Sequence, residues 1–341
     1  MKTQAPGKII LSGEHAVVYG RPALVMAVDR LAEAEVVPGE TDGLQLELLD
    51  YDRSVHVDWP ALTEKRQELE ARYNRFLEGT LGIREVLREP EELLLYAAAL
   101  LADRASGRLP GARVRVHSEI PRGCGMGSSA ATVVAVLKGL AAYWGVPHDR
   151  ELLFDLAHRA EMLQHGRSSG VDPYVSVHGG LFRFRQREGR RLSLPDAFDF
   201  KLVDTGTPES STGEAVAWVA NWVGEAPVWH DFESVALAIE EALLRRDGEG
   251  LRHWLRANQR LLEEIGVVPA SVRRFVAEVE HRGGAAKVSG AGAVRGQKAG
   301  MVLTLLDEPA LQELCEAFGY RWFAIQPEKE GVRQIPEPGS V

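Results

Sequence analysis

One stretch constrains this chain more than any other: Pro121-Arg122-Gly123-Cys124-Gly125-Met126-Gly127-Ser128-Ser129-Ala130-Ala131-Thr132. Glycines at alternate positions let the backbone take positive φ and approach a ligand closely. Ser128 and Ser129 stand where an apolar helix, Ala130–Trp144, begins, and serine is a favoured N-cap. The unpaired N–H groups of such a first turn, and the helix dipole, point at whatever fills the loop. Phosphate is the natural occupant. The alternation Arg113-Val114-Arg115-Val116-His117 places a half-exposed strand, Ala112–Ile120, just before the loop.

Two common nucleotide signatures do not fit. A Walker A loop ends in Gly-Lys-Ser/Thr, whereas Gly127 is followed by Ser128. A dinucleotide fingerprint needs a third glycine three residues after the second, where this chain has Ser128. A phosphate loop of another kind remains, weighed against a glycine turn that merely starts a helix.

The rest of the chain reads as α+β. Residues 8–11, 23–28, 31–37 and 44–49 form a β-rich opening, with helices over 61–82 and 91–103. Further helices are expected at 151–165, 232–246, 250–265, 269–282 and 310–318, and strands at 181–184, 200–204 and 301–306. Strands and helices do not alternate regularly enough for a doubly wound sheet. With 341 residues the chain is long for one core, and a division into 1–200 and 201–325 is expected. The tail, 326–341, is rich in proline and charge and reads as loose.

Composition removes several functions. A net charge of -9 disfavours nucleic acid and anionic membranes as partners but not a small anion in a local site. Two distant cysteines, Cys124 and Cys315, make neither a disulfide framework nor a cysteine-rich zinc site. No secretory leader or membrane-length apolar run is legible, so the expectation is a cytoplasmic protein.

Carboxylates cluster after the loop. Glu161 lies on a helix, and Asp172 follows Ser168-Ser169-Gly170-Val171 in what reads as a loop ending before Pro173. In phosphoryl transfer, carboxylates hold Mg²⁺ or accept the proton of the attacking hydroxyl. His158, Glu161 and His165 share a helix face. That face is an alternative transition-metal site, although it lacks the His-Glu-x-x-His pattern. Lys8, at the start of a strand, is either a surface lysine with a packed stem or a cation serving a site.

Pro121–Ala131 resembles the second motif of the GHMP kinases, with Met126 where that family has leucine. Lys287-Val288-Ser289-Gly290-Ala291-Gly292-Ala293 resembles the third motif, then departs from it by continuing Val294-Arg295-Gly296. Glu161 through Asp172 is similar to the family stretch in which a glutamate precedes Ser-Gly-Val-Asp. The family has asparagine-proline where this chain has Arg167-Ser168. Gly13-Glu14-His15-Ala16-Val17-Val18-Tyr19-Gly20, with lysine at position 8, looks like the mevalonate kinase branch.

The resemblance implies a two-lobed fold, with an N-terminal ribosomal-protein-S5-like lobe and a C-terminal ferredoxin-like lobe. It implies ATP as co-substrate, Mg²⁺ held by Ser129 and Glu161, and Asp172 and Lys8 as catalytic residues. Phosphate would rest on Gly123, Cys124, Gly125, Met126, Gly127, Ser128, Ser129 and Ala130, with Gly290 and Gly292 behind. Glu14 and His15 would bind mevalonate. Ser211 and Thr212 would face the same site, cap the helix that follows, or do both. A sibling kinase for another small alcohol, such as phosphomevalonate, stays open, as do a non-catalytic nucleotide binder and a homodimer.

Overall fold

The computed structural model describes residues 1–193, 198–223 and 226–336. Its first strands are β1 (Lys2–Ser12), β2 (Ala23–Pro38), β3 (Leu44–Leu48) and β4 (Arg53–Val57). Helices α1 (Trp59–Leu77) and α2 (Glu92–Ala102) follow, then β5 (Ala112–Ser118). Next come α3 (Ser128–Trp144), α4 (Arg150–His165), α5 (Val171–His178), β6 (Leu181–Arg185) and β7 (Glu188–Leu192).

The second half holds β8 (Lys201–Asp204), α6 (Thr212–Trp222), α7 (Val228–Arg245), α8 (Gly248–Glu264) and α9 (Ala270–His281). It closes with β9 (Ala285–Ser289), β10 (Met301–Leu305), α10 (Glu308–Phe318), β11 (Arg321–Ala324) and β12 (Arg333–Ile335). The fold is α+β in two lobes. One sheet runs β12-β1-β2-β5-β3-β4, with β6 and β7 branching from β2; the other runs β11-β8-β10-β9.

The apolar α3 packs on β1 and β2, and its residues from Val133 to Leu137 are fully buried. Leu24, Met26, Ala32, Ala34 and Val36 of β2 meet it in one large core, which continues into α2 and α4. A second cluster joins β9 and β10 to α9 and α10 through Val288, Val302, Phe275 and Leu311. Among the described residues no helix is long and apolar enough to cross a membrane.

Several expectations change. The segments 23–28 and 31–37 are one strand. The register against β1 shifts between Pro6 and Gly7, so Asp29 and Arg30 bulge out and hide the continuity. Asp172 is not on a loop: it sits in the first turn of α5, after Gly170 at φ 82°. Pro173 misled because proline is tolerated in a helix's first turn, where its missing N–H has no partner to lose. β9 is a strand inside the glycine-rich stretch, and all five of its residues are buried, so no alternation marks it.

The tail is not loose over its described part. β12 pairs with β1, Gln326 O accepts from Asp29 N at 3.0 Å, and Glu328 N donates to Ala27 O at 2.9 Å. Backbone pairing overrides a polar, proline-rich composition here; positions 337–341 of that expectation lie outside the described residues.

Candidate functional site

The glycine loop between β5 and α3 takes the conformation its composition permits. Gly123, Gly125 and Gly127 have φ of 69°, 83° and 72°. Gly127 also needs its missing side chain, because a Cβ there would stand 3.1 Å from Lys8 Cγ and 3.4 Å from Asp172 Oδ2. The helix cap differs from expectation. Gly127, not a serine, is the N-cap of α3, and no side chain caps it. The N–H groups of the first turn are thus free of side-chain competition. Ser128 turns its hydroxyl to Ser118 Oγ, 3.2 Å away.

The loop is held from below. Lys8 N donates to Met126 O at 2.9 Å, so β1 carries the loop on its edge. Lys8 is 3% exposed, and its ammonium lies 3.1 Å from Asp172 Oδ1 while donating to Gly125 O at 3.0 Å. Asp172, at the N-terminus of α5, meets a helix end that favours negative charge. One buried cation therefore ties loop to carboxylate. The surface-lysine reading of Lys8 does not survive this geometry.

Glu161 is buried one helix away. Burial, and then the charge of Asp172, push its carboxyl up to about 8; Ser168 and Lys8 act against the shift. Ser168 Oγ donates a short hydrogen bond to Glu161 Oε2. His158 donates from Nε2 to Ser168 O at 3.3 Å, and burial lowers the pKa of both His158 and His165. Among the described residues no three His, Cys, Asp or Glu side chains are grouped to hold a metal.

The second glycine stretch leans on the first. Gly290 sits at φ 104°, and a Cβ there would stand 3.4 Å from Gly125 Cα. Met301 N donates to Cys124 O at 3.1 Å. Burial, and then the neighbouring Asp204, push the Cys124 thiol up to about 12; it is a packed, protonated side chain.

These elements enclose a cavity of about 600 Å³. Gly123 through Ser129, Asp172, Ser211, Thr212 and Gly292 line it; Lys8, Glu161, Ala130 and Gly290 do not themselves form its wall. Ser211 caps α6 in a reciprocal box with Glu214, so it has both expected positions at once.

Glu14 stands behind the cavity wall. It is 1% exposed, ion-paired to Lys287 and bonded by Asn258 Nδ2 at 3.3 Å, and it does not line the cavity. His15 is buried as well, with Nε2 donating to Ala291 O at 3.0 Å. The partner of Glu14, Lys287, lies more than 270 residues on in the chain. Sequence reasoning missed Lys287, Asn258 and Ser168 as participants. For Ser168 a signal existed: it stands where the resembled family has proline.

Residues 92–180 match the model of the GHMP kinases N-terminal domain. A mevalonate kinase of Archaeoglobus fulgidus is 33% identical over 98% of this chain and 99% of its own. The fold is similar to a solved mevalonate kinase at a TM-score of 0.79 and 24% identity, covering 97% of this chain and 100% of that one. It is similar to an L. major mevalonate kinase, solved with R-mevalonate, at a TM-score of 0.65 and 22% identity, covering 96% of each chain.

Proposed function

The chain belongs to the mevalonate kinase family, and from that premise we propose that it transfers the γ-phosphoryl group of ATP to the primary hydroxyl of mevalonate. The observation that carries this reading is the Lys8–Asp172 pair, 3.1 Å apart, beside the N-cap of α3, whose first residues line the cavity. Phosphate charge would rest on the first-turn N–H groups of α3 and on the Gly123–Ser129 backbone. Asp172 would take the hydroxyl proton as the oxygen attacks phosphorus and ADP leaves. Lys8 would orient Asp172 and offset charge on the transferring group. Reaction of this kind is mainly positioning and electrostatics.

Magnesium belongs to the same proposal. Glu161 is a buried carboxyl beside a second carboxylate, an arrangement that a divalent cation relieves. Mg²⁺ is commonly held by one or two carboxylates together with substrate phosphates. Ser129 and Glu161 would hold it. When bound, it neutralises phosphate charge and aligns the leaving group. Ser211 and Thr212 would face the alcohol substrate, whereas Glu14 would act from behind the wall. Membership of the two sheets supports a division into residues 1–200 and 201–325. We place the reaction in the cytoplasm, as a step toward isoprenoids.

An ADP-release assay with mevalonate, phosphomevalonate, homoserine and galactose tests the proposal. Mevalonate should be turned over fastest, and no turnover of mevalonate sinks the specific claim. Asp172→Asn should lower kcat by about 10²–10⁴-fold while nucleotide still binds.

A further inference from the structure

We propose that Ser168 is a positioning residue for the metal ligand Glu161, a role that rests on the magnesium reading above. The hydroxyl has one proton, and it goes to Glu161 Oε2. Its oxygen accepts Gly170 N–H at 3.0 Å, which fixes the direction of that proton. The Ser168 carbonyl accepts from His158 Nε2 at 3.3 Å, so the residue is gripped by α4 on both sides of the Glu161 turn. Gly170 is the N-cap of α5, and Asp172 stands in its first turn. A single hydroxyl thus joins the rotamer of Glu161 to the start of the helix that presents Asp172.

The burial of Glu161 makes this contact matter. A carboxyl at 7% exposure needs hydrogen-bond partners, and one without them turns away. Proline, the residue of the resembled family at this position, has no hydroxyl to give. Ser168 therefore gives Glu161 an orienting contact that proline at this position could not. Groups that orient a metal ligand from behind set how well the ion is held, though they never touch it.

The experiment is binding of a non-hydrolysable ATP analogue to the full chain by calorimetry, with EDTA and across a magnesium titration. Ser168→Ala and Ser168→Pro should each raise the magnesium concentration at the midpoint by about tenfold. Metal-free nucleotide affinity should stay at the wild-type value, and Ser168→Thr should restore the midpoint. Either hydroxyl-free variant keeping the wild-type midpoint overturns the proposal. So does an equal loss of affinity with and without metal, which marks a merely structural role. If the wild type itself shows no magnesium-linked gain, the magnesium reading fails first and this inference falls with it; a normal wild type with indifferent variants refutes Ser168 alone.

Discussion

At the scale of single residues, two imidazoles held without charge, His15 buried and His178 half-buried, give the protein an acid limit. Burial pushes His15 down from 6.5 to about 4. His178 is lowered to about 4 as well, by burial and then by Arg150 and Arg191. In the unfolded chain both titrate near their ordinary value, about 6.5. The unfolded state therefore binds protons that the native state refuses between those pH values. This contribution to stability is complete above the unfolded pKa and is lost as pH falls toward 4. Urea midpoints should drop across that window. The His15→Gln, His178→Gln double variant should show a shallower drop, and an unchanged slope would falsify the uncharged state of both rings.

At the scale of elements, the phosphate loop and the second glycine stretch behave as one unit. A Cβ on Gly125 would lie 3.1 Å from the Ser289 carbonyl oxygen, at a backbone φ of +83°. Gly125→Ala should cost about 1–2 kcal/mol from the left-handed conformation alone. It should also push the loops apart. Thermal unfolding together with the KM for ATP checks this: a lower Tm with KM up about tenfold is expected (about 1.4 kcal/mol of binding), and a normal KM would show that the two loops are independent. The loop, α3 and the carboxylate spacing were legible in the sequence because their signals are local: glycine phase, an apolar run, a helical period. The cap of α3 was not. Two serines outrank glycine as caps by composition, yet the left-handed turn demanded glycine one position earlier. β9 escaped because burial on both faces erases alternation, and the β2 bulge because two polar residues imitate a turn.

At the scale of the whole molecule, the two sheets meet through polar groups sealed from water. Ile10 N donates to Ser289 Oγ at 3.0 Å, and Lys287 Nζ donates to Ile10 O at 3.1 Å. Ser12 Oγ donates to Asn258 Oδ1 at 2.6 Å, and Asn258 reaches Glu14. Lys287, at 0% exposure, completes the set by pairing with Glu14. Lys287→Met leaves Glu14 buried and unpaired and should cost about 3–5 kcal/mol. Adding Glu14→Gln should recover part of that loss, so urea denaturation should show strong non-additivity; strictly additive effects would mean that the pair does not couple the lobes. None of this junction was readable beforehand, because pairing across hundreds of positions leaves no periodic trace. The return strand β12 imposes a further condition, on the order of events. Ile335 lies opposite Lys2. The first sheet therefore gains its outer strand only after the whole second sheet has left the ribosome. Until then the edge of β1 stays open to any passing strand, a hazard of slow, long-range closure. A nascent chain stalled before β12 would be the form most prone to self-association.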